Sequence, residues 1–168
     1  MMGLDMYLFS APRIKDMKLE EILSVNLKLA DLRKENNETF LAIKDYIKHF
    51  EFYGHKWESL LTEEMYWRKA NHIHSWFVQH IQNGIDDNGA MSEVTLEQLE
   101  ELYRSCRLVL RDHSKAMDIL PRMAGPYFGD LSYNFLYLDQ VKQTSDKLEQ
   151  LMQPEFLDKN YLLYQSSW

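Results

Sequence analysis

The chain has 168 residues, of which 45% are hydrophobic and 13% aromatic, and it carries a formal net charge of -7 at pH 7. This length and composition predict one globular domain with a sizeable core and exclude a disordered chain. The acidic balance argues against a general nucleic-acid binder, which needs a basic surface to displace counterions from phosphates. It suits either ordinary solubility or docking on a basic face of a partner.

The sequence also predicts a compartment. Its single cysteine, Cys106, cannot form an internal disulfide and favours a reducing environment. The first residues lack the basic start and the long apolar run of a signal peptide. No segment approaches the roughly 18 apolar residues of a membrane span. We therefore expect a cytoplasmic protein that does not enter a membrane.

The first third of the chain predicts one strand and two helices. Apolar and other residues alternate from Leu4 to Phe9, which indicates a short strand that ends near Pro12. Helical spacing of apolar residues then recurs on both sides of the pair Asn36 and Asn37, which can form a turn or a cap. We expect the two helices to pack as an antiparallel hairpin over residues 16–52.

The remaining elements are predicted to be mostly helical. Residues 66–82 form a dense block with helical periodicity, and Thr95 begins a second helix with a capping box. A last helix is expected over residues 136–152, followed by an aromatic tail, 154–168. The fold prediction is a mainly α domain of the α+β type, with about five helices and a small sheet made by the N-terminal strand and short extended segments. It spans residues 1–168 as a single domain.

The block 66–82 carries the strongest chemical signal. On a helical wheel, Asn71 and His74 lie in or beside the apolar stripe, where buried polar groups need hydrogen-bond partners. They can brace the helix against backbone or carboxylates. Alternatively, polar groups near the helix N-terminus can hold a phosphate-bearing ligand, with an aromatic ring stacked on a base. The candidate ligand-binding residues are Arg68, Lys69, Asn71, His74, Trp67, Asp87 and Tyr127.

Motifs for other chemistry are missing from the sequence. His72 and His74 lie on nearly opposite faces of a helix and cannot share a metal there. The loop 84–95 lacks the first and last ligands of a calcium loop. Cys106 lies on an apolar stripe, which indicates an inert thiol. We predict no metal, cofactor or catalytic residue, and the enzyme alternative would use His74 with Asp86 or Asp87.

Four motifs together resemble a family of small uncharacterised proteins of bacteriophages and prophages. They are GLDMYL (3–8), YWRKAN-x-IH-x-WFV (66–78), Q-x-G-x-DD (82–87) and LP followed by G-x-x-FG (120–129). The resemblance covers a core of residues 65–152 and the N-terminal strand. It implies a phage origin and a setting in the host cytoplasm, but no particular activity.

The chain departs from that family in two places. Family members tend to have an extended segment before the WRKAN block, where residues 16–52 here predict helices; this region is expected to vary and to carry partner specificity. Asn88 stands where relatives often have a cysteine, which weakens a metal or thiol role for that loop.

These features predict a phage accessory protein that inhibits a host process, with a defence system as the favoured target, by binding. It would either dock on a host protein or sequester a host nucleotide signal; direct nucleic-acid binding is not expected. The alternatives are a small hydrolase or nucleotide-modifying enzyme and an assembly protein whose tail, 154–168, joins copies into a homo-oligomer. The candidate partner-binding residues are Tyr46, Phe50, Trp57, Tyr161, Tyr164 and Trp168.

Overall fold

A computed structural model describes residues 2–168 of the protein. Its strands and helices follow one another in this order: β1 (Asp5–Pro12), α1 (Leu19–Asn26), α2 (Leu29–Glu35), α3 (Glu38–Ile43), β2 (Lys48–Phe52), β3 (His55–Ser59), β4 (Thr62–Arg68), α4 (Asn71–His80), β5 (Ser92–Val94), α5 (Leu96–Arg111), α6 (Ala116–Ile119), α7 (Phe135–Leu151), α8 (Pro154–Lys159) and β6 (Asn160–Ser167). Short 3-10 turns occupy Lys44–Tyr46 and His113–Lys115.

The predicted fold class is wrong in its balance of elements. Across the described residues the chain is 48% helical and 22% strand, with eight α-helices, a four-stranded antiparallel sheet and a two-stranded sheet. It is an α+β protein and not a mainly helical domain of about five helices. None of its helices within residues 2–168 is long and apolar enough to cross a membrane.

The main sheet has the strand order β4-β1-β6-β5. The predicted N-terminal strand is confirmed as β1, which pairs along its length with β4 on one side and β6 on the other. Met6 and Leu8 are fully buried on one face, whereas Tyr7 and Phe9 are half-buried on the other. The sheet is therefore packed on both sides.

Two hydrophobic clusters cover the two faces of this sheet. The larger cluster joins Met6 and Leu8 of β1 to α4, α5 and α7, and includes Ile73, Leu102 and Val141. The smaller cluster joins Ala11 and Leu163 to α1, α2 and α3. Strand β6 contributes Leu162 and Tyr164 to the larger cluster and Leu163 to the smaller one, so it is covered on both faces.

The predicted helical hairpin over residues 16–52 is replaced by three short helices and a strand. Asn36, at φ 45°, ends α2 in the left-handed region. The Asn37 side chain then accepts a hydrogen bond from the Phe40 N–H and starts α3. The asparagine pair is confirmed as a stop and a cap, but residues 48–52 form β2 instead of extending a helix.

The block 66–82 is also divided. Tyr66, Trp67 and Arg68 complete β4, and α4 begins only at Asn71. Lys69 lies between them at φ 55°, a conformation that no helix interior allows. The capping box of Thr95 and Gln98 at the start of α5 is confirmed.

Candidate functional site

Three polar residues in the first half of α4 point into the protein. Asn71, His72 and His74 are each fully buried, so the helix presents none of these three side chains to solvent. The turn before α4 is held by a hydrogen bond from the Lys69 N–H to the Leu4 carbonyl, 2.8 Å long. This backbone hydrogen bond therefore holds the turn before α4 against the residue that precedes β1.

Asn71 joins α4 to the loop that precedes α7. Its Nδ2 group donates to the carbonyls of Phe128 and Asp130 at 3.1 and 3.0 Å, and its Oδ1 accepts from Nη1 of Arg122 at 3.3 Å. Arg122 also donates twice to the Ser132 carbonyl. Three of the hydrogen bonds available to Asn71 are thus made within the chain.

His72 lies beside the same arginine. Its Nδ1 accepts from Arg122 Nη1 at 3.3 Å, and its ring packs on Tyr137 with centroids 4.2 Å apart. Burial, and then the positive charge of Arg122, hold the pKa of His72 well below 6.5. The neutral ring therefore carries its proton on Nε2, a buried atom without a hydrogen-bond partner among the described residues.

His74 joins α4 to β6 and to the loop 84–90. Its Nε2 lies 2.9 Å from Oδ2 of Asp86, and its Nδ1 lies 2.7 Å from the hydroxyl of Tyr164. A carboxylate only accepts, so Nε2–H donates to Asp86; in the neutral ring Nδ1 then accepts from the Tyr164 hydroxyl. Burial, followed by the charge of Asp86, raises the pKa of Tyr164 well above 10, which keeps this phenol a donor.

The loop 84–90 and the end of β6 enclose the hydrogen bonds that join Asp86, His74 and Tyr164. The Trp168 indole N–H donates to Oδ1 of Asp86 at 3.3 Å, and its ring lies edge-on to Phe128. Asn88 exchanges two hydrogen bonds with the Trp168 backbone. His74 is 0% exposed, so no substrate can reach its ring in this structure. This enclosure removes the base that the enzyme alternative requires.

The other predicted ligand-binding residues do not gather around Asn71 and His74. Trp67 is buried and donates its indole N–H to Thr144 at 2.8 Å. Arg68 lies on the outer sheet face in an ion pair with Asp5, 3.0 Å long.

The remaining three predicted residues lie nearer the surface. The side chain of Lys69 lies over Gly129, while Tyr127 and Asp87 are exposed. The predicted phosphate site is therefore not assembled as one pocket.

Cys106 belongs to the hydrophobic core and is not an activated thiol. Cys106 is fully buried, and burial raises the pKa of its thiol to about 12. At neutral pH it is a thiol and not a nucleophilic thiolate. Within residues 2–168 no group of three or more histidine, cysteine, aspartate and glutamate side chains is arranged to hold a metal ion.

The predicted partner-binding residues of the tail are mostly occupied. Tyr164 is fully buried in the core, so its assignment as a partner contact is wrong. Tyr161 is half-buried under the Arg13 guanidinium, 4.0 Å from the ring centroid. Trp168 is 40% exposed but is tied to the loop 84–90. The tail itself forms α8 and β6, which explains why its apolar residues are dense.

The partner-binding residues between 46 and 57 lie on or beside the hairpin of β2 and β3. Tyr46 is 39% exposed in the turn before it. Phe50 lies opposite Trp57, and Phe52 lies opposite His55, so their side chains share one face of the hairpin. We call Phe50, Phe52 and Trp57 the aromatic face.

The hairpin leaves much of this aromatic face in solvent. On its opposite face, Glu58 pairs across the strands with His49 and forms an ion pair with Arg33 of α2, 2.6 Å long. A cleft of 830 Å³ lies between the hairpin and α1 and α2, and Phe50 and Trp57 line it together with the charged side chains. Phe52 and Trp57 are 60% and 47% exposed. Hairpins that pack on a core ordinarily bury their apolar side, whereas these two rings stay largely uncovered.

The signal for this hairpin was present in the sequence. His49 and Glu51 alternate with Phe50 and Phe52, which is the period of a strand. Tyr53 and Gly54 then adopt φ values of 51° and 76°, as in the tight turns that join hairpin strands. Tyrosine is unusual at the first of these positions, and the pattern is easily interpreted as the end of a helix.

No protein-family model matches the chain, and neither a curated protein nor a solved structure shows a significant match.

Proposed function

We propose that the protein is a bacteriophage accessory protein that acts in the host cytoplasm and inhibits a host process, with a defence system as the favoured target. It does so by docking on a host protein through the aromatic face of the β2–β3 hairpin. The observation that carries this proposal is the exposure of Phe52 and Trp57 on the apolar side of the hairpin, where a core contact would ordinarily cover them. The phage origin rests on the sequence resemblance alone.

The chemistry of the aromatic face suits a protein interface. Aromatic side chains are enriched at interfaces because each buries a large area at a small cost in conformational entropy. The rings of Phe50 and Phe52 lie 6.3 and 6.4 Å from that of Trp57, so the three form one continuous surface. Tyr53, at the tip, is 87% exposed and extends it.

The charge distribution favours the same region. Residues 13–60 contain nine lysines and arginines and nine aspartates and glutamates, so the net charge of -7 falls on the other residues. The hairpin therefore projects from a part of the chain without a net charge. A partner can approach it without the repulsion or attraction that the acidic remainder would impose.

The competing functions have less support. An enzyme that uses His74 needs access to a ring that is 0% exposed. A nucleotide trap needs Asn71 and Trp67 in a pocket, and both are buried against other parts of the chain. Assembly through the tail needs residues that already form the sheet.

The test uses two double variants of matched exposure. Phe52→Ser with Trp57→Ser alters the aromatic face, and Leu131→Ser with Phe135→Ser alters exposed apolar residues elsewhere (50% and 83% exposed). Tagged proteins are expressed in host cells that carry an active defence system, and phage plating efficiency and retained host proteins are measured. Exposed substitutions of this kind change stability by less than about 0.5 kcal/mol, so all variants are expected to fold.

We expect wild type and the control pair to protect phage and to retain the same host protein. The hairpin pair should lower affinity for it more than tenfold, since interface aromatics commonly contribute about 2 kcal/mol each. Equal protection by the hairpin pair and wild type would refute docking through this face.

A further inference from the structure

A second surface of the protein lies between α1 and α3, on the side where the loop after β1 enters. It is an open groove of 670 Å³, within the usual size of binding clefts. Its apolar lining comes from Met17, Val25 and Ala42. Met17 and Val25 also pack against the smaller hydrophobic cluster, which fixes the floor of the groove.

Carboxylates line this groove on both sides. Asp16, Glu20 and Glu21 lie on the loop and on α1, and Glu38 lies across from them on α3; Lys15 is the single cation in the lining. All five are exposed. The rim thus carries a net charge of -3 around an apolar floor.

This acidity is local. Residues 13–60 are neutral in sum, and the compensating cations lie largely around α2 and the hairpin, including Lys28, Arg33 and Lys56. The negative potential is therefore concentrated at the groove instead of being spread evenly over this half of the chain. An occupant needs apolar side chains for the floor and positive charges for both walls.

We propose that the groove between α1 and α3 binds a basic amphipathic segment of a partner protein. Its apolar side chains contact Met17, Val25 and Ala42, and its lysines or arginines lie against Glu20 and Glu38. An amphipathic helix has this arrangement, because residues three and four apart share one face and charged residues flank it. The groove is a different surface from the aromatic face, and this binding does not depend on the function proposed above.

The probe is a fluorescein-labelled synthetic helix of about four turns built from leucine and lysine, with a glutamate-for-lysine version as its counterpart. Fluorescence anisotropy measures its affinity for the full chain and for three variants. Glu20→Gln with Glu38→Gln removes two charges from the rim. Glu97→Gln with Glu100→Gln removes two exposed charges from α5, and Ala42→Gln fills the floor without changing the charge.

We expect the lysine probe to bind wild type and the α5 pair equally. The rim pair should lower its affinity about fivefold, as expected for two exposed ion pairs, and Ala42→Gln should lower it by a similar or greater factor. The glutamate probe should not bind. The hairpin pair Phe52→Ser with Trp57→Ser should retain full affinity, which separates this result from the proposed function.

Two outcomes would overturn the proposal. One is an equal loss of affinity in the rim and α5 pairs, which would indicate general attraction to an acidic protein. The other is unchanged affinity in Ala42→Gln, which would place the probe elsewhere. First-turn acids also stabilise helices, so the melting temperature of each variant is measured, and binding is compared well below the lowest of them.

Discussion

Replacing Tyr164 by phenylalanine tests whether the polar residues of α4 brace the fold. The substitution keeps the ring, which stacks on Phe77 with centroids 3.9 Å apart, and removes only the hydroxyl that donates to His74 Nδ1 over 2.7 Å. His74 cannot compensate by turning its ring, because Nε2 would then leave Asp86. A buried acceptor is left without a donor.

The expected cost follows from that lost donor. An unsatisfied buried polar group costs about 1 to 3 kcal/mol, so we expect the free energy of unfolding to fall by about 2 kcal/mol. For a chain of this size each kcal/mol lowers the melting temperature by roughly 2 to 4 °C, which gives a decrease of roughly 4 to 8 °C. Urea denaturation monitored by tryptophan fluorescence and thermal melting both measure this change.

Tyr127→Phe is the matched control, since Tyr127 is 60% exposed. Its stability should remain within about 0.5 kcal/mol of wild type. If Tyr164→Phe behaves like this control, the hydroxyl does not support His74 and the brace interpretation fails. Loss of the phage protection expected under the proposed function, at unchanged stability, would equally contradict the brace interpretation, because that result would assign the buried residues a direct function.

Three other perturbations have defined outcomes. Because the pKa of His72 lies well below 6.5 in the folded protein, the unfolded chain binds more protons below that pH. The free energy of unfolding should therefore fall on acidification from pH 6.5, by up to about 1.4 kcal/mol per pH unit from this residue. His72→Gln should flatten this slope in pH-dependent urea titrations. Cys106, with a pKa of about 12, should resist iodoacetamide at pH 8 in the native protein and react in urea, as mass spectrometry would show; rapid native labelling would contradict its burial. Ending the chain before Pro154 removes β6 from the middle of the sheet, so circular dichroism should show an unfolded or aggregated product; a folded monomer would mean that β1 does not need this neighbour.

The sequence predicts those elements whose signals are local. Thr95 and Gln98 define the start of α5 because a capping box involves only four residues. The helix over 136–152 matches α7 to within a residue for the same reason: its apolar spacing is long and regular. The alternation in residues 4–9 identifies β1 but cannot reveal its neighbours, which lie far away in the chain.

The secondary-structure predictions are wrong where a short segment fits both the helical period of 3.6 residues and the strand period of two. On a helical wheel Tyr66 and Trp67 fit the apolar arc of α4 and Arg68 fits its polar side. The three residues nevertheless alternate as a strand, and the left-handed Lys69 separates the two elements. In the tail, the adjacent residues Leu162 and Leu163 break the alternation by which a half-buried strand is recognised, so the sequence did not predict a strand there. A strand covered on both faces has such an apolar run, and only the pairing with β1 and β5 shows that it is one.

The sequence identified two polar residues of the candidate site, but it did not predict the contacts that they make. Asn71 and His74 were identified as polar groups beside an apolar stripe, and their burial follows from that pattern. Their partners Arg122 and Tyr164 could not be deduced, because hydrogen bonds between residues 51 and 90 positions apart depend on the tertiary fold. The exposure of the aromatic face likewise depends on how the hairpin packs against the rest of the chain.

The position of β6 imposes an order on biosynthesis. Strand β1 leaves the ribosome well before its partner at residues 160–167, which follows about 155 residues later. At elongation rates of 5 to 20 residues per second, this delay is roughly 8 to 30 s. During that time Leu8 and its neighbours expose an unpaired edge that other nascent chains can join. Rapid, abundant translation should therefore favour inclusion bodies over native protein, whereas slower expression or chaperones that shield the early strand should raise the soluble yield.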